Sequence, residues 1–258
     1  MTSKKVAIFL SIRDKSTRLP AKVRRIIHGQ SVTEHLIDRL KLSQKADQII
    51  MATSNNPQDA WLVSIAEKKG IGCFRGDEED KLKRYLDAAD FHNIDFIVVV
   101  DGDDLFSDWH FIDEIINRFQ QFNEDYIICD KLPLGVTGFG VKVEALRIVV
   151  KNKKEKNTEV WGGFFVNTKQ FVPYFIQVPT EFQRPDYRMT LDYPEDLQLF
   201  EKIYDYLYKG EPILLRDIIN LLDTNPHLTE INSEAQKRYE LNLAAPKKLV
   251  DVDTANWS

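Results

Sequence analysis

Three carboxylates and a glycine follow directly on a strongly apolar stretch near the middle of this chain. Residues 96–100 are all apolar and mostly β-branched, which predicts a strand buried on both faces. Asp101, Asp103 and Asp104 then lie at the carboxyl end of that strand, where open α/β sheets bind ligands. Carboxylate oxygens in such a place suit Mg²⁺, which completes its coordination shell with water and substrate phosphates. An acidic turn after a buried strand is the alternative that these residues leave open.

A basic loop follows the first predicted strand and has the composition of a polyphosphate site. Arg13, Arg18 and Lys22 supply positive charge, and the hydroxyls of Ser16 and Thr17 add hydrogen-bond donors. The loop lacks the glycines of a Walker A motif and of a dinucleotide-binding fingerprint. A basic loop can also be plain surface charge, but its combination with the acidic strand end favours a phosphate site.

Alternating strands and helices must position these two groups in the first half of the chain. The apolar runs predict strands over 4–10, 48–53, 72–75 and 96–100. Helical spacing and capping residues predict helices over 31–44, 59–69, 80–89 and 109–122. This order is typical of a parallel sheet with helices on both faces.

The second half of the chain shows a different pattern. Strands are predicted at 126–130, 140–143, 164–167 and 188–191, and a charged surface loop at 151–157. Helices are predicted from Pro194 to Gly210 and over 215–222. Without a repeat or a convincing linker, we expect a single domain over 1–258. Within it we expect an acceptor or dimerisation segment at about 126–187 and a helical tail at 211–258.

The composition, with 43% hydrophobic and 29% charged residues, is typical of a soluble globular protein and disfavours several other classes. The net charge of −5 offers no electrostatic footprint for nucleic acid or for an anionic membrane. No apolar run approaches the length of a signal-peptide core or of a membrane span. The two cysteines, Cys73 and Cys129, form no metal-binding or disulfide pattern, so we expect reduced core residues in a cytoplasmic protein.

Several motifs in the chain resemble those of bacterial cytidylyltransferases that activate acidic sugars, such as 3-deoxy-manno-octulosonate cytidylyltransferase. The segment Ser16–Lys22 is similar to their S-T-R-L-P-G-K signature. The group of spore coat polysaccharide biosynthesis protein F looks more similar still, because its A-T-S-D-N and F-R-G-S-E-D-D-x-L-x-R-Y motifs match 52–56 and 74–85. Further matches follow in order along almost the whole chain, at 102–103, 188–197 and 217–232.

The resemblance implies a three-layer α/β fold of the Rossmann-like, glycosyltransferase-A-like nucleotidyltransferase type, with a mixed and mostly parallel sheet. It also implies that an acceptor oxygen attacks the α-phosphate of CTP and that pyrophosphate leaves. Arg13 and Lys22 would clamp the phosphates, and Asp103 and Asp192 would hold Mg²⁺. The partners would be CTP and a small polar acceptor, such as a sugar acid or a phosphorylated metabolite. The resemblance also implies a homodimer, because the relatives are often dimers.

The same resemblance assigns two further sets of residues. The nucleotide would lie against Ser11, Arg13, Ser16, Arg18, Lys22, Ser54, Arg75, Gly76, Arg84 and Asp101. The acceptor would lie against Gly135, Phe139, Glu159, Trp161 and Arg188, although an ion pair with Asp192 is the alternative role for Arg188. Asp196 is expected to be a charge at a helix N-terminus rather than a metal ligand.

The chain departs from the family pattern at positions that bear on activity. Ala21 replaces a glycine, which is unfavourable if that position needs a positive φ. Asp101 stands where Thr or Gln is common, and Glu159 to Gly162 replaces the usual acceptor motif. These departures keep open a catalytically impaired homologue that binds a nucleotide. A glycosyltransferase that uses a nucleotide sugar is a second alternative, because its fold also places an acidic metal site after a central strand.

Overall fold

Strands and helices alternate through the first half of the chain, as predicted. The structure, a computed structural model, describes residues 4–244, so that 245–258 of the predicted tail lie outside the described residues. The strands are β1 Val6–Ser11, β2 Ile26–Ile27, β3 Gln30–Ser31, β4 Gln48–Ser54, β5 Gly72–Gly76, β6 Phe96–Asp101, β7 Tyr126–Asp130, β8 Phe139–Lys142 and β9 Pro173–Gln177. The helices are α1 Val32–Leu40, α2 Ala60–Lys69, α3 Lys81–His92, α4 Trp109–Phe122, α5 Val143–Asn152, α6 Gly163–Val166, α7 Pro194–Leu207, α8 Leu215–Thr224, α9 Pro226–Glu230 and α10 Ser233–Ala244. Among residues 4–244, no helix has the length and apolar character needed to cross a membrane.

Seven strands form one mixed sheet in the order β5-β4-β1-β6-β8-β7-β9. All of its neighbouring pairs are parallel except those made by β8, which runs antiparallel to β6 and to β7. Strands β1 and β6 lie in the middle and carry the basic loop and the acidic turn at their carboxyl ends. The predicted mixed, mostly parallel sheet is therefore confirmed.

Two hydrophobic cores lie on the two faces of this sheet. Side chains alternate along a strand, so that Ile8 and Val98 face one core while Phe9 and Val99 face the other. The first core also contains the inner faces of α1, α4, α7 and α8, and the second contains those of α3 and α5. All six residues of β1 are buried, as expected for a strand covered on both faces.

The strand predicted at 164–167 is wrong, because residues 164–166 belong to the short helix α6 and Asn167 is its C-cap. Its amides bond to the carbonyls of Trp161 and Gly162, at 3.0 Å for both Phe164 and Phe165. A strand would direct adjacent side chains to opposite faces, whereas the helical turn buries both phenylalanine rings in one core. Burial of two rings outweighs the preference of aromatic residues for strands.

The strand predicted at 188–191 is also wrong, since this segment makes one isolated bridge, between Arg188 and Leu134. Its backbone instead bonds to two loops, with Met189 donating to Leu134 at 2.7 Å and Leu191 donating to Asp103 at 2.9 Å. The second bond brings Asp192 next to the acidic turn. Four elements had no counterpart among the sequence predictions, namely the short strands β2 and β3, the strand β9, and α5, which covers the first two residues of the predicted charged loop.

The backbone of Ala21 has a positive φ, which is the conformation that makes alanine unfavourable in place of the family glycine. Its φ and ψ are 55° and 30°, in the left-handed region that is costly for residues with a Cβ atom. We expect Ala21→Gly to raise the free energy of unfolding by up to about 1 kcal/mol, after the added entropy of the unfolded chain is subtracted. Ala60→Gly is the matched control, because Ala60 has right-handed angles of −60° and −29°. Urea unfolding should show that Ala60→Gly lowers the free energy of unfolding. If Ala21→Gly lowers it as well, the strain at Ala21 is contradicted.

The start of α1 provides a pH-sensitive contribution to stability. Ser31 and Glu34 form a reciprocal capping box, and Lys68 lies 2.7 Å from the Glu34 carboxylate. The hydrogen bond from Lys68 has the largest effect on the pKa of Glu34, and the hydrogen bonds from Ser31 add to it. Together they lower this pKa to about 2, although burial alone would raise it. A lowered pKa stabilises the fold above the ordinary value of 4.5, and the contribution is lost as the pH falls from 4.5 towards 2.

Glu34→Gln should therefore lower the free energy of unfolding by about 1 kcal/mol at pH 7. The difference from the wild type should shrink below pH 4.5 and vanish near pH 2. Thermal unfolding followed by circular dichroism across this range would measure it. A difference that stays constant with pH would show that the carboxylate charge does not contribute.

Candidate active site

The basic loop and the acidic turn meet because β1 and β6 are parallel neighbours. Ser11 and Asp101 are register partners at the ends of the two strands, and the Gly102 amide donates to the Ser11 carbonyl at 2.8 Å. A Cβ atom at Gly102 would lie 2.6 Å from the Ile12 side chain, so the close contact of the two loops requires glycine there.

Lys22 lies between the two carboxylates at the centre of the site. Its Nζ donates to Asp103 and, at 2.9 Å, to Asp192. Arg18 donates a second charged bond to Asp192 at 2.6 Å. Burial alone would lower the pKa of Lys22, but Asp103 and Asp192 raise it above the usual value, so the ammonium stays charged. Residues from the two halves of the chain thus form one compact ionic centre.

The third acid of the turn, Asp104, differs from its neighbours because it is buried. Desolvation, together with the negative charges of Asp103 and Asp101, raises its pKa well above the usual range. A hydrogen bond with Thr190 opposes part of this shift. Asp104 therefore belongs to the interior, and Asp101 and Asp103 are the acids of this turn that face the cavities.

Asp192 is held in place by a buried guanidinium and a second carboxylate. Arg188 donates to both oxygens of Asp196, at 2.9 and 3.1 Å, and lies 3.4 Å from Asp192. Asp196 also accepts the amides of Asp192 and Tyr193, each at 2.9 Å. Asp196 is thus an internal cap of α7, in agreement with its predicted role at a helix N-terminus.

Two adjoining cavities open on this centre and share five residues. The first, called here the inner cavity, has a volume of about 150 Å³, and the second, called the outer cavity, about 480 Å³. Ser11, Lys81 and Asp101 line the inner cavity, whereas Arg18 and Asp192 line the outer one. The shared residues are Arg13, Lys15, Lys22, Asp103 and Glu159.

Glu159 connects two cations across the shared wall. It pairs with Arg13, and its other oxygen lies 3.3 Å from the ammonium of Lys81. Lys81 also lies 3.4 Å from Asp101. Burial would lower the pKa of Lys81, but Asp101, Tyr85 and Glu159 raise it. Sequence reasoning missed Lys81, although a lysine directly after the cap residue Asp80 was a usable signal.

Comparison with known proteins identifies the family. A family model described as cytidylyltransferase matches residues 7–234. The chain belongs to this family. An uncharacterized protein of Methanocaldococcus jannaschii is 30% identical over 91% of the chain and 97% of its own length. Spore coat polysaccharide biosynthesis protein SpsF of Bacillus subtilis is 26% identical over 86% of the chain and 95% of its own length.

A solved structure agrees with this assignment. The structure of a cytidylyltransferase from Leptospira borgpetersenii has a TM-score of 0.79 and 25% identity, over 88% of this chain and 97% of that one. The resemblance predicted from the motifs is therefore confirmed, and the protein is a CTP-dependent nucleotidyltransferase. A glycosyltransferase that consumes a nucleotide sugar is no longer favoured.

The cytidylyltransferase has two carboxylates at the ionic centre, Asp103 and Asp192, whose oxygens could bind a divalent cation. Lys22 contacts both Asp103 and Asp192, so the two carboxylates already face a single cation. In residues 4–244 there is no cluster of three or more His, Cys, Asp or Glu side chains arranged to hold a metal. Two carboxylates suffice for Mg²⁺ when substrate phosphates and water complete the shell. The residues therefore fit a metal that binds together with the nucleotide.

Four of the predicted nucleotide residues, Ser54, Arg75, Gly76 and Arg84, line neither cavity. Arg75 donates to the carbonyls of Ser54 and Asn56, at 3.0 and 2.8 Å, and Ser54 itself donates to Asp59. The fully buried Arg84 donates to the Asp77 carbonyl, and a Cβ atom at Gly76 would lie 3.0 Å from the Arg84 side chain. In the basic loop, Ser16 accepts the Leu19 amide at 3.3 Å. Their direct contact with nucleotide stays a prediction.

The cytidylyltransferase brings one of the five predicted acceptor residues, Glu159, to both cavities. Trp161 is 5% exposed and packs with Phe139 at a ring distance of 5.5 Å, inside an aromatic cluster. Gly135 has a φ of 86° and lies against the backbone of Met189. Arg188 forms ion pairs with Asp192 and Asp196, which agrees with its alternative role. An acceptor contact by any of the five residues stays a prediction.

Proposed function

We propose that the protein transfers CMP from CTP to a sugar acid or a similar polar acceptor, with Mg²⁺ and with release of pyrophosphate, for the synthesis of surface polysaccharide. The observation that carries this proposal is the pair of adjoining cavities that share Lys22 and Asp103. Two substrates in neighbouring cavities would meet at the ionic centre. The names of the spore coat and cytidylyltransferase relatives support the class of product.

The chemistry follows from the charges at that centre. An acceptor oxygen forms a bond to the α-phosphorus, the bond from that phosphorus to the bridging oxygen breaks, and pyrophosphate leaves with the electron pair. Negative charge grows on the leaving group and on the α-phosphoryl oxygens, where Arg13 and Lys22 can donate charged hydrogen bonds. Mg²⁺ bound by Asp103 and Asp192 would supply Lewis-acid stabilisation of the same charge.

The outer cavity suits an anionic acceptor. The cations Arg13, Lys15, Arg18 and Lys22 line it, together with the hydroxyls of Ser16 and Thr17, and face the carboxylates of Glu79, Asp103, Glu159 and Asp192. The positive charge available to an acceptor is therefore on the side of the basic loop. Guanidinium groups bind carboxylates with two parallel hydrogen bonds, which favours an acceptor that carries one. Formation of a homodimer through segment 126–187 stays a prediction, supported by the exposed Val172 and Phe175 at the edge strand β9.

Pyrophosphate release tests the proposed function directly. Each of the four nucleoside triphosphates is incubated with Mg²⁺ and a panel of sugar acids and phosphorylated polyols, and Asp103→Asn is run beside the wild type. Release with CTP and one acceptor, lost in Asp103→Asn, would support the proposal and name the acceptor. Binding of CTP in calorimetry without turnover on any acceptor would favour a catalytically impaired homologue. No binding of any nucleotide would overturn the proposal.

A further inference from the structure

The segment that carries Glu159 connects α5 to α6 over residues 153–162 and is called here the strap. Buried side chains on both sides of Glu159 anchor it. Thr158 is fully buried and donates to Asp80 at 3.0 Å, and Trp161 lies inside its aromatic cluster. Because both anchors are close in sequence, the backbone of Glu159 is fixed beside the two cavities. Its carboxylate is therefore part of the site and not of a free surface loop.

The side chain of Glu159 lies between two cations. It pairs with Arg13, and its second oxygen lies 3.3 Å from the ammonium of Lys81. The side chains of Arg13 and Lys81 are 14% and 13% exposed, whereas that of Glu159 is 41% exposed. All three line the inner cavity, and Arg13 and Glu159 also line the outer cavity. A carboxylate of the protein thus neutralises cations in the place proposed for a polyanionic substrate.

Pairing with Glu159 limits what Arg13 can offer to a phosphate. Carboxylate and phosphate oxygens accept the same planar set of N–H groups from a guanidinium. The triphosphate must therefore replace Glu159 on Arg13, or bind there beside a second negative charge, which costs free energy. In both cases the carboxylate of Glu159 opposes the binding of the nucleotide.

Both members of this ion pair have a second partner, so the pair can open without leaving a charge unpaired. Arg13 also donates to the carbonyl of Glu78, which keeps the guanidinium at the cavity. Glu159 keeps the ammonium of Lys81, which also lies 3.4 Å from Asp101. Breaking a partly buried pair is most costly where one charge is left alone, and neither charge is left alone here.

We propose that Glu159 is an internal competitor of the nucleotide: it holds Arg13 until the triphosphate of CTP replaces it, and it then remains paired with Lys81. The inference rests on the proposed function, because it concerns how tightly that site binds its nucleotide. It differs from a positioning role, in which Glu159 would orient Arg13 towards the phosphates. The two roles predict opposite signs, since the loss of a competitor strengthens binding and the loss of an orienting group weakens it.

Calorimetric titration of the wild type and of Glu159→Gln with CTP tests the inference without turnover. The variant keeps the size of the side chain and the anchors of the strap, and it should bind CTP about 3- to 10-fold more tightly. Inorganic tripolyphosphate should gain affinity by the same factor, whereas cytidine, which has no phosphate, should bind equally to both proteins. Glu79→Gln is the matched control, because Glu79 carries the same charge at the outer cavity. Its affinity for CTP should change by less than about twofold.

A double-mutant cycle tests the part assigned to Lys81. Lys81→Met should weaken the binding of CTP, because the displaced carboxylate of Glu159 then lacks its second partner. The same substitution should cost less in the Glu159→Gln background, and the difference measures the coupling of the two side chains. Equal effects in both backgrounds would show that Lys81 acts on the nucleotide by itself, and would overturn its part in the inference.

The outcomes separate the inference from the proposed function. Unchanged or weaker binding of CTP by Glu159→Gln would overturn the inference and leave the proposed function intact. An equal gain for cytidine would show that the effect does not act through the phosphates, and an equal gain in Glu79→Gln would show a general effect of charge. Either result would also overturn the inference. Failure of the wild type to bind any nucleotide would overturn both.

Discussion

Lys22→Met should lower the rate of pyrophosphate release by about 100- to 1000-fold while strengthening the binding of Mn²⁺ to the nucleotide-free protein about tenfold. The two changes have one cause. In the free protein the ammonium of Lys22 lies between Asp103 and Asp192, where it competes with a divalent cation. Its removal leaves two neighbouring carboxylates without their shared partner, which favours a metal. Turnover falls because the phosphates lose a cation.

Electron paramagnetic resonance of Mn²⁺ titrations measures the binding, and pyrophosphate release measures the rate. Lys15→Met is the control, because Lys15 lines the same cavities but pairs with Glu78 at 3.1 Å. Its Mn²⁺ affinity should equal that of the wild type. An unchanged Mn²⁺ affinity in Lys22→Met would show that the ammonium does not occupy the metal position.

Arg188→Met should lower the free energy of unfolding by about 3–5 kcal/mol, because it removes the cation that pairs with the fully buried carboxylate of Asp196. Asp196 is fully buried and receives both Nε and Nη2 of Arg188, and the side chain of Asp192 is 8% exposed. The expected fall in melting temperature is roughly 6–20 °C for a protein of this size. Differential scanning calorimetry would measure it.

Arg184→Met is the matched control for this stability change. Arg184 pairs with Asp223 at 2.6 Å, but about a third of each side chain is exposed, so its loss should cost less than about 1 kcal/mol. If Arg188→Met instead keeps its stability and raises the KM for the acceptor, Arg188 contacts the acceptor and the structural role is wrong.

The central strands and the charged groups at their ends could be predicted from the sequence. The apolar run before Asp101 predicts a strand buried on both faces. The acids that follow such a strand lie at the edge of the sheet where ligands bind. Local composition is sufficient for this prediction because the pattern of burial repeats within a few residues. The proximity of Asp192 to Asp103 was implied by the family resemblance and not by spacing, and the direct contact of Asp192 with Lys22, over 170 positions, was not predicted.

Features that depend on distant packing could not be predicted in this way. The phenylalanines of α6 favour a strand by propensity, and the choice of a helix depends on a core made by other segments. Antiparallel β8 requires close contact at Gly140, where a Cβ atom would lie 2.5 Å from Ile115. The role of Lys81 depends on which acids face it across the cavity, and a linear sequence does not contain this information.

The order of assembly during synthesis follows from the position of β1 at the centre of the sheet. Strands β1, β4, β5 and β6 all lie within the first 101 residues, so a nascent chain that has emerged through α4 already contains four adjacent strands and helices for both faces. Asp192 emerges much later, and its bonds to Arg18 and Lys22 close loops of 174 and 170 positions at the ionic centre. We therefore expect incomplete chains that end before Asp192 to form much of the sheet without a complete ionic centre.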